Sequence, residues 1–377
     1  MKKLLSKNQT LVKSRVDVTF VTIVLLLVSL GLIMLFSASY AYAYYYFNNY
    51  FHFISRQMVF AIAGLIVMVI MANIDYHILT KFTMPLFAVS IFLLIIVLFM
   101  PSLNGASRWI NLGFMTFQPS EIAKFAIILL FAHYISVNSE LMGTFKYGVL
   151  PFGIILGLVA FLMVLEPHLS GTVLIFAISA IMMFVGGTSL FWFMLVGGCI
   201  IGCVVIIIMI PGLVQYAMSR VQYWIDPFSD PTNKGYQTIQ SLYAIGSGGL
   251  FGTGIGGSKQ KFLFLPEPQN DFVFSVVCEE LGFVGATVII ILFALLVWRG
   301  FIIAMKAPDK LGSMLAVGFT AQVGLQAILN IAVVTNTIPN TGISLPFFSY
   351  GGTSLMMLLM QMGIVISISR YSVIDKV

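Results

Sequence analysis

Residues 262–285 read FLFLPEPQNDFVFSVVCEELGFVG. The first part closes a polar, glycine-rich stretch, 212–271, and from Phe272 the chain turns apolar as far as 298. Twenty or so apolar residues in a row are what a helix needs to cross about 30 Å of hydrocarbon. At the seam sits Asp271. A carboxylate at the mouth of a membrane segment is costly to desolvate and has either a task or a partner.

Outward from this stretch, runs of the same kind recur at 18–38, 56–72, 82–100, 121–137, 148–165, 171–187, 190–211, 311–335 and 349–369. With 272–298 they predict an all-α polytopic membrane protein of ten transmembrane helices. Hydrophobic residues make up 60% of the chain and charged residues 8%, against about 25% charged in a soluble domain. Mean hydropathy is +1.04. No polar segment is large enough for a separate soluble domain, so 1–377 reads as a single unit with one large extracytoplasmic loop at about 212–271. The first run follows Lys2, Lys3, Lys7, Lys13 and Arg15 but is too long for a cleaved signal peptide. It reads as a retained helix.

With ten spans and the N-terminus inside, 12 of the 19 lysines and arginines fall in inside segments, the asymmetry that orients membrane proteins. Both termini are therefore expected in the cytoplasm. The net charge of +6 reflects this anchoring and implies no nucleic-acid partner. Eight of the 13 acidic residues lie at the outer face or outer helix ends, which places the polar chemistry outside.

The long outer loops carry Trp109, Tyr223, Trp224, Tyr236 and Tyr243 and are expected to fold over the outer surface, with one short helix in 236–246. The tyrosine-rich segment 39–51 reads as an outer loop in an aromatic belt. Gly252, Gly254 and Gly257 fit a dinucleotide fingerprint but lack its strand–helix context, and read as tight turns. Gly153/Gly157 and Gly198/Gly202 have the spacing of close helix contacts. Cys199, Cys203 and Cys278 read as packing residues, and the four histidines have no metal-ligand spacing.

Four constellations carry chemistry. In 104–124, Arg108 and Trp109 precede Gln118-Pro119-Ser120-Glu121, a helix start, and Glu121 and Lys124 share a face. They form either a local ion pair or a site in which Lys124 and Arg108 bind an anion and Glu121 orients the lysine. Glu166, beside His168 and Ser170, sits at a broken helix junction as a cap or a cavity residue. Lys259 and Lys261 lead through Glu267 to Asp271, itself a helix cap or a reactive group, with Glu279 and Glu280 inside the eighth span. Finally, Ser349, Gly351 and Gly352 in GISLPFFSYGGTS (342–354) give a pliable start to the last span. Together they imply an outward polar cavity for an anionic, amphipathic ligand.

The stretches SRWINLGFMTFQPSEIAKFA (107–126), DPFSDPTNKGYQTIQSLYAIGSGG onward from 226 to 285, and TGISLPFFSYGGTSL (341–355) strongly resemble the SEDS family of bacterial membrane proteins, which includes FtsW, RodA and SpoVE. The FtsW/SpoVE branch is the nearer one. The resemblance covers almost the whole chain. It implies a ten-helix peptidoglycan glycosyltransferase of the cytoplasmic membrane, active in cell division or growth. Such an enzyme polymerises lipid II at the outer face beside a class B penicillin-binding protein and other divisome or elongasome membrane proteins.

The resemblance places the family's essential aspartate on Asp271, its cavity residues on Glu121 and Lys124, and its loop tryptophan on Trp109. Gln118, Ser120, Glu166, Lys261, Ser349 and Arg108 complete the implied substrate site. No certain cofactor is implied, and a divalent cation, magnesium or manganese, held by Asp271 is an open alternative. Where many relatives have an acid after Glu-Pro, this chain has His168, and 336–342 also departs from the family pattern. Two other readings of the same cavity are a lipid II flippase, which would need polar groups open to both sides, and a non-catalytic division scaffold.

Overall fold

The computed structural model describes residues 9–13, 16–100, 109–111, 116–166, 168–195, 224–232 and 235–375. The long helices are α1 (Val18–Phe47), α2 (His52–Asn73), α3 (Thr83–Val97), α4 (Pro119–Val137), α5 (Leu150–Leu165), α6 (Leu169–Gly186), α7 (Tyr236–Ser247), α8 (Val273–Met305), α9 (Lys310–Val334) and α10 (Gly352–Ser369). Eight helical segments among the described residues are long and apolar enough to cross a membrane, with α6 a shorter apolar helix. The run expected at 190–211 is described only over its first turn, to 195. Short pairings join β1 (Gln9–Lys13) to β4 (Tyr371–Asp375) and β2 (Ile110–Asn111) to β3 (Thr116–Phe117), both antiparallel.

Helices α4 and α9 form the centre. Residues 125–132 of α4, FAIILLFA, are buried all round, the pattern of a helix enclosed by protein. Helix α9 packs on α4, α6 and α8, α10 lies along α2, and α1 lies against α8. Gly153 and Gly157, expected at a close helix contact, instead face open space, with nothing near an added Cβ. Both sit on the exposed side of α5, so their spacing records no packing partner among the described residues. Gly198 and Gly202 lie outside those residues.

One end of the bundle is tied by its charges. Asp17 caps α1 through Phe20 N (3.0 Å) and accepts from Arg299 Nε (2.8 Å). Asp309 caps α9 through Gly312 N (2.8 Å) and accepts from Tyr76 Oη (2.9 Å). His77 bridges Asp75 and Asp309 at 2.6 Å each. The starts of α1 and α9 thus meet the end of α2 and the inner part of α8 on one face, as alternating crossings require.

The opposite face departs from the sequence reading twice. Most of segment 39–51 is not a loop: α1 continues helically to Phe47, about 45 Å in all, and only 48–51 turns the chain into α2. Its tyrosines stack instead, Tyr40 and Tyr44 flanking Tyr50 with centroids 4.6 and 4.3 Å apart. Nor do Glu279 and Glu280 lie inside a continuous span. Gly282 adopts φ 67, ψ −171, a region open essentially to glycine alone, and breaks α8 there. Residues 283–305 still reach about 34 Å, long enough to cross a bilayer alone, and 273–281 is a separate segment.

The glycine-rich loop repairs the break. Glu279 O accepts from Thr253 N (3.0 Å) and Glu280 O from Gly254 N (3.0 Å), while Phe283 N and Val284 N donate to Gly249 O (2.9 Å) and Leu250 O (3.1 Å). Backbone groups stranded in a membrane protein need such partners. The long loop also docks through α7, whose Ser241 Oγ donates to Val334 O (2.7 Å).

Candidate active site

Helix α4 starts the site. Gln118 is extended at the N-cap without a side-chain cap bond, Pro119 follows, and Glu121 lies in the first turn. Pro at this position wastes no hydrogen bond because its missing N–H would be unpaired anyway. Glu121 Oε1 accepts from Lys124 Nζ at 2.7 Å, and the side chains are only 9% and 4% exposed. Buried charge of this kind persists only when paired. Trp109 is half-buried immediately before the β2–β3 pairing. Ser120 is buried, and its Oγ has no partner among the described residues. Arg108 lies outside the described residues.

Glu121 faces a small enclosed cavity of about 30 Å³, walled by Gln322 and Gln326 of α9, by 344–351, and by the first turns of α10. Ser349 lines it while its Oγ accepts from Leu345 N (2.8 Å), closing the turn. Gln322 Oε1 also lines this region and is buried with no partner among the described residues. Such a group keeps a hydrogen-bond acceptor for a ligand.

Asp271 adjoins Gly342, two residues before the stretch that walls this cavity. It is partly exposed, and the N-cap of α8 is Phe272, with no side-chain cap bond. The N-cap position of α8 thus belongs to Phe272 rather than Asp271. Its Oδ2 lies 3.2 Å from where a Cβ on Gly342 would stand, and Gly342 has φ +70, so glycine there lets the carboxylate lie against the backbone. Asn330 of α9 holds the two strands of chain together: its Nδ2 donates to Asp271 O and Ile343 O, both at 2.7 Å. Tyr350 N donates to Gln269 O (2.8 Å). One short segment, 342–351, thus touches Asp271 at Gly342 and walls the cavity that Glu121 lines.

Glu166 and Lys261 belong elsewhere. Glu166 is buried at the C-cap of α5, and the N-cap of α6 is His168 rather than Ser170. Glu166 does not line the Glu121 cavity. Lys261 Nζ bonds Glu280 Oε1 (2.8 Å) and Ser37 Oγ (3.1 Å), and Ser37 Oγ also donates to Glu280 (2.7 Å). Glu279 is held by Lys259 N (2.8 Å) and by the Ser258 hydroxyl.

Asn330, Gln322, Gln326 and Ser37 were missed from sequence. Three of them are amides within one apolar helix, a signal that could have singled them out. Among the described residues no group of three or more His, Cys, Asp or Glu side chains is placed to hold a metal ion. Asp271 is not part of such a group among the described residues.

The match to known proteins is extensive. A model of the FtsW/RodA/SpoVE cell cycle proteins matches residues 17–374. The chain belongs to this family. Stage V sporulation protein E of Bacillus subtilis (strain 168) is 42% identical over 368 residues, covering 96% of this chain and 98% of the relative. A probable peptidoglycan glycosyltransferase FtsW of Geobacter sp. (strain M18) is 38% identical over 333 residues, covering 86% and 88%. Among solved structures, a chain described for the structural coordination of polymerization and crosslinking by a peptidoglycan synthase complex aligns with a TM-score of 0.78 at 31% identity, covering 94% and 98%. RodA of Thermus thermophilus aligns at 0.69 and 28%, covering 94% and 97%. The family fold is multi-pass, and the described helices follow it.

Proposed function

We propose that this chain is a peptidoglycan glycosyltransferase that polymerises lipid II at the outer face of the bacterial cytoplasmic membrane, with both termini in the cytoplasm. The observation that carries the reading is that one short segment, 342–351, meets Asp271 at Gly342 and walls the cavity lined by Glu121, the partner of Lys124, in a member of this family.

In the reaction, the acceptor sugar hydroxyl attacks the anomeric carbon of the donor. The new C–O bond forms as the bond to the pyrophosphate breaks, with inversion. Asp271 takes the hydroxyl proton, the task of a general base. Lys124, held in place by Glu121, faces the negative charge growing on the pyrophosphate, a charge-assisted contact. Gln118 stands at the same helix start. Ser349 and Gln322 line the small cavity beside Glu121, which has room for one polar group of the substrate.

A flippase would need polar groups open to both faces. Here the inner charges Asp17, Arg299, His77 and Asp309 are already spent on caps and ion pairs. The likeness to a chain of a peptidoglycan synthase complex that coordinates polymerization and crosslinking supports a class B penicillin-binding protein as partner, within a divisome or elongasome.

The test is a gel assay of glycan made from purified lipid II by the purified chain, with and without a cognate class B penicillin-binding protein. Glycan strands enhanced by the partner are expected. No glycan in either condition would overturn the activity, and full glycan without the partner would overturn the dependence.

A further inference from the structure

Helix α9 carries a row of amides, Gln322, Gln326 and Asn330. At intervals of four, such residues share one helix face, and all three are buried. Gln322 and Gln326 wall the cavity that Glu121 lines. Asn330 continues the row one turn further and ends on the backbone of Asp271. It stands about 30 Å from Lys310, where α9 begins, at about 1.5 Å per residue. That is the thickness of the hydrocarbon.

A primary amide has two N–H donors, and Asn330 commits both. They reach Asp271 O and Ile343 O, each at 2.7 Å. Its Oδ1 is buried with no partner among the described residues, a cost that an apolar side chain would avoid. The donors are therefore what this position uses. Serine or threonine has one proton for the two carbonyls, and an ionised aspartate has none. Around this tie the two segments stay close. Asp271 Oδ2 lies 3.2 Å from where a Cβ on Gly342 would stand, and Tyr350 N donates to Gln269 O (2.8 Å).

We propose that Asn330 is the positioning residue for Asp271, fixing where the base stands relative to the cavity lined by Glu121, the partner of Lys124. The inference rests on the glycosyltransferase reading and adds a residue to its machinery. An inverting displacement puts the attacking hydroxyl and the departing pyrophosphate on opposite sides of the anomeric carbon. The group that takes the proton and the cation that faces the leaving group therefore need a set separation. One rigid helix sets it: Gln322 and Gln326 wall the cavity while Asn330, on the same face, holds residue 271 by its backbone.

The test compares Asn330→Ala and Asn330→Gln in the purified full-length chain, assayed with lipid II and a cognate class B penicillin-binding protein. Rates are measured across lipid II concentrations, with melting curves and hydrogen exchange of 343–351 alongside. Alanine releases both carbonyls without crowding them. The saturating rate should fall about a hundredfold, the scale for a reacting group misplaced by about 1 Å. Half-saturating lipid II should stay within about a factor of two, because the change removes no contact of Glu121 or Lys124. Exchange at Tyr350 N should quicken at least about tenfold, as loss of two hydrogen bonds implies. The melting curve should still show a folded chain at the assay temperature.

Glutamine keeps both donors on an arm one methylene longer. Exchange should stay slow, yet the rate should fall at least about tenfold because the base is displaced. This variant decides the matter even if Asn330→Ala does not fold. Either variant, folded and polymerising at the parent's rate, would overturn the proposal, as would a loss seen only as a rise in half-saturating lipid II. A parent chain that makes no glycan would sink the glycosyltransferase reading itself. A parent that makes glycan beside an equally active Asn330→Ala would sink the positioning role alone.

Discussion

Replacing Glu121 and Lys124 together separates what the pair does for the fold from what it does for the chemistry. The two side chains are 9% and 4% exposed and 2.7 Å apart. Lys124→Met alone leaves a buried carboxylate without its cation, at a cost of about 3–5 kcal/mol. The double change Glu121→Gln with Lys124→Met removes both charges and keeps the volumes. Exchanges of this kind are often neutral or stabilising, so the double variant should melt within about 1 kcal/mol of the parent protein.

Activity should behave differently. If Lys124 stabilises the departing pyrophosphate, both variants lose it equally, and polymerisation falls by about 10²–10³-fold, as for loss of one preorganised electrostatic group. Lys124→Arg keeps the charge but spreads it over a planar fork, and should retain partial activity. The readouts are a thermal melt in detergent and a gel of glycan made from lipid II. A double variant that melts like the parent and polymerises normally would reduce the pair to a helix-start ion pair and refute the catalytic assignment.

Two further outcomes follow from the fold. Gly282→Ala should destabilise by at least about 1–3 kcal/mol, because that backbone region excludes side chains and the new Cβ would lie 2.3 Å from Gly252 N. Gly246→Ala, with nothing near its Cβ, should not destabilise, and equal melting curves would contradict the break in α8. In a cysteine-free variant, Phe251→Cys should react with a membrane-impermeant thiol reagent on intact spheroplasts and Lys306→Cys should not. Labelling of Lys306→Cys from outside would reverse the orientation.

What could be read from sequence depended on how far apart the interacting residues lie. The spans were legible because twenty apolar residues cannot be explained otherwise, and Glu121–Lys124 was legible because three residues on a helix share a face. The break at Gly282 was not. One glycine in an apolar run fits a continuous helix, and only the carbonyls of 249 and 250, packed against it, reveal the interruption. Ser37 and Lys261 are 224 residues apart, beyond any argument from spacing. The helix through 39–47 was hidden by its tyrosines, whose hydroxyls suggest a loop although their rings stack along a helix. Asp271 was singled out by its position at the seam, but whether it caps α8 needed the backbone, which gives that place to Phe272.

The central claim rests on Asp271 and is tested most directly by Asp271→Asn. Because asparagine matches aspartate in size and keeps an acceptor oxygen, and the backbone carbonyl of 271, which Asn330 grips, is untouched by the change, the fold should hold and the melting temperature should stay near that of the parent. Loss of a general base typically costs about 10²–10⁴-fold in rate. The measurement is glycan formed from purified lipid II by the purified variant, with its melting curve recorded alongside. The account predicts a stable protein whose polymerisation has fallen at least about a hundredfold; a stable Asp271→Asn protein making glycan at the parent's rate would contradict it.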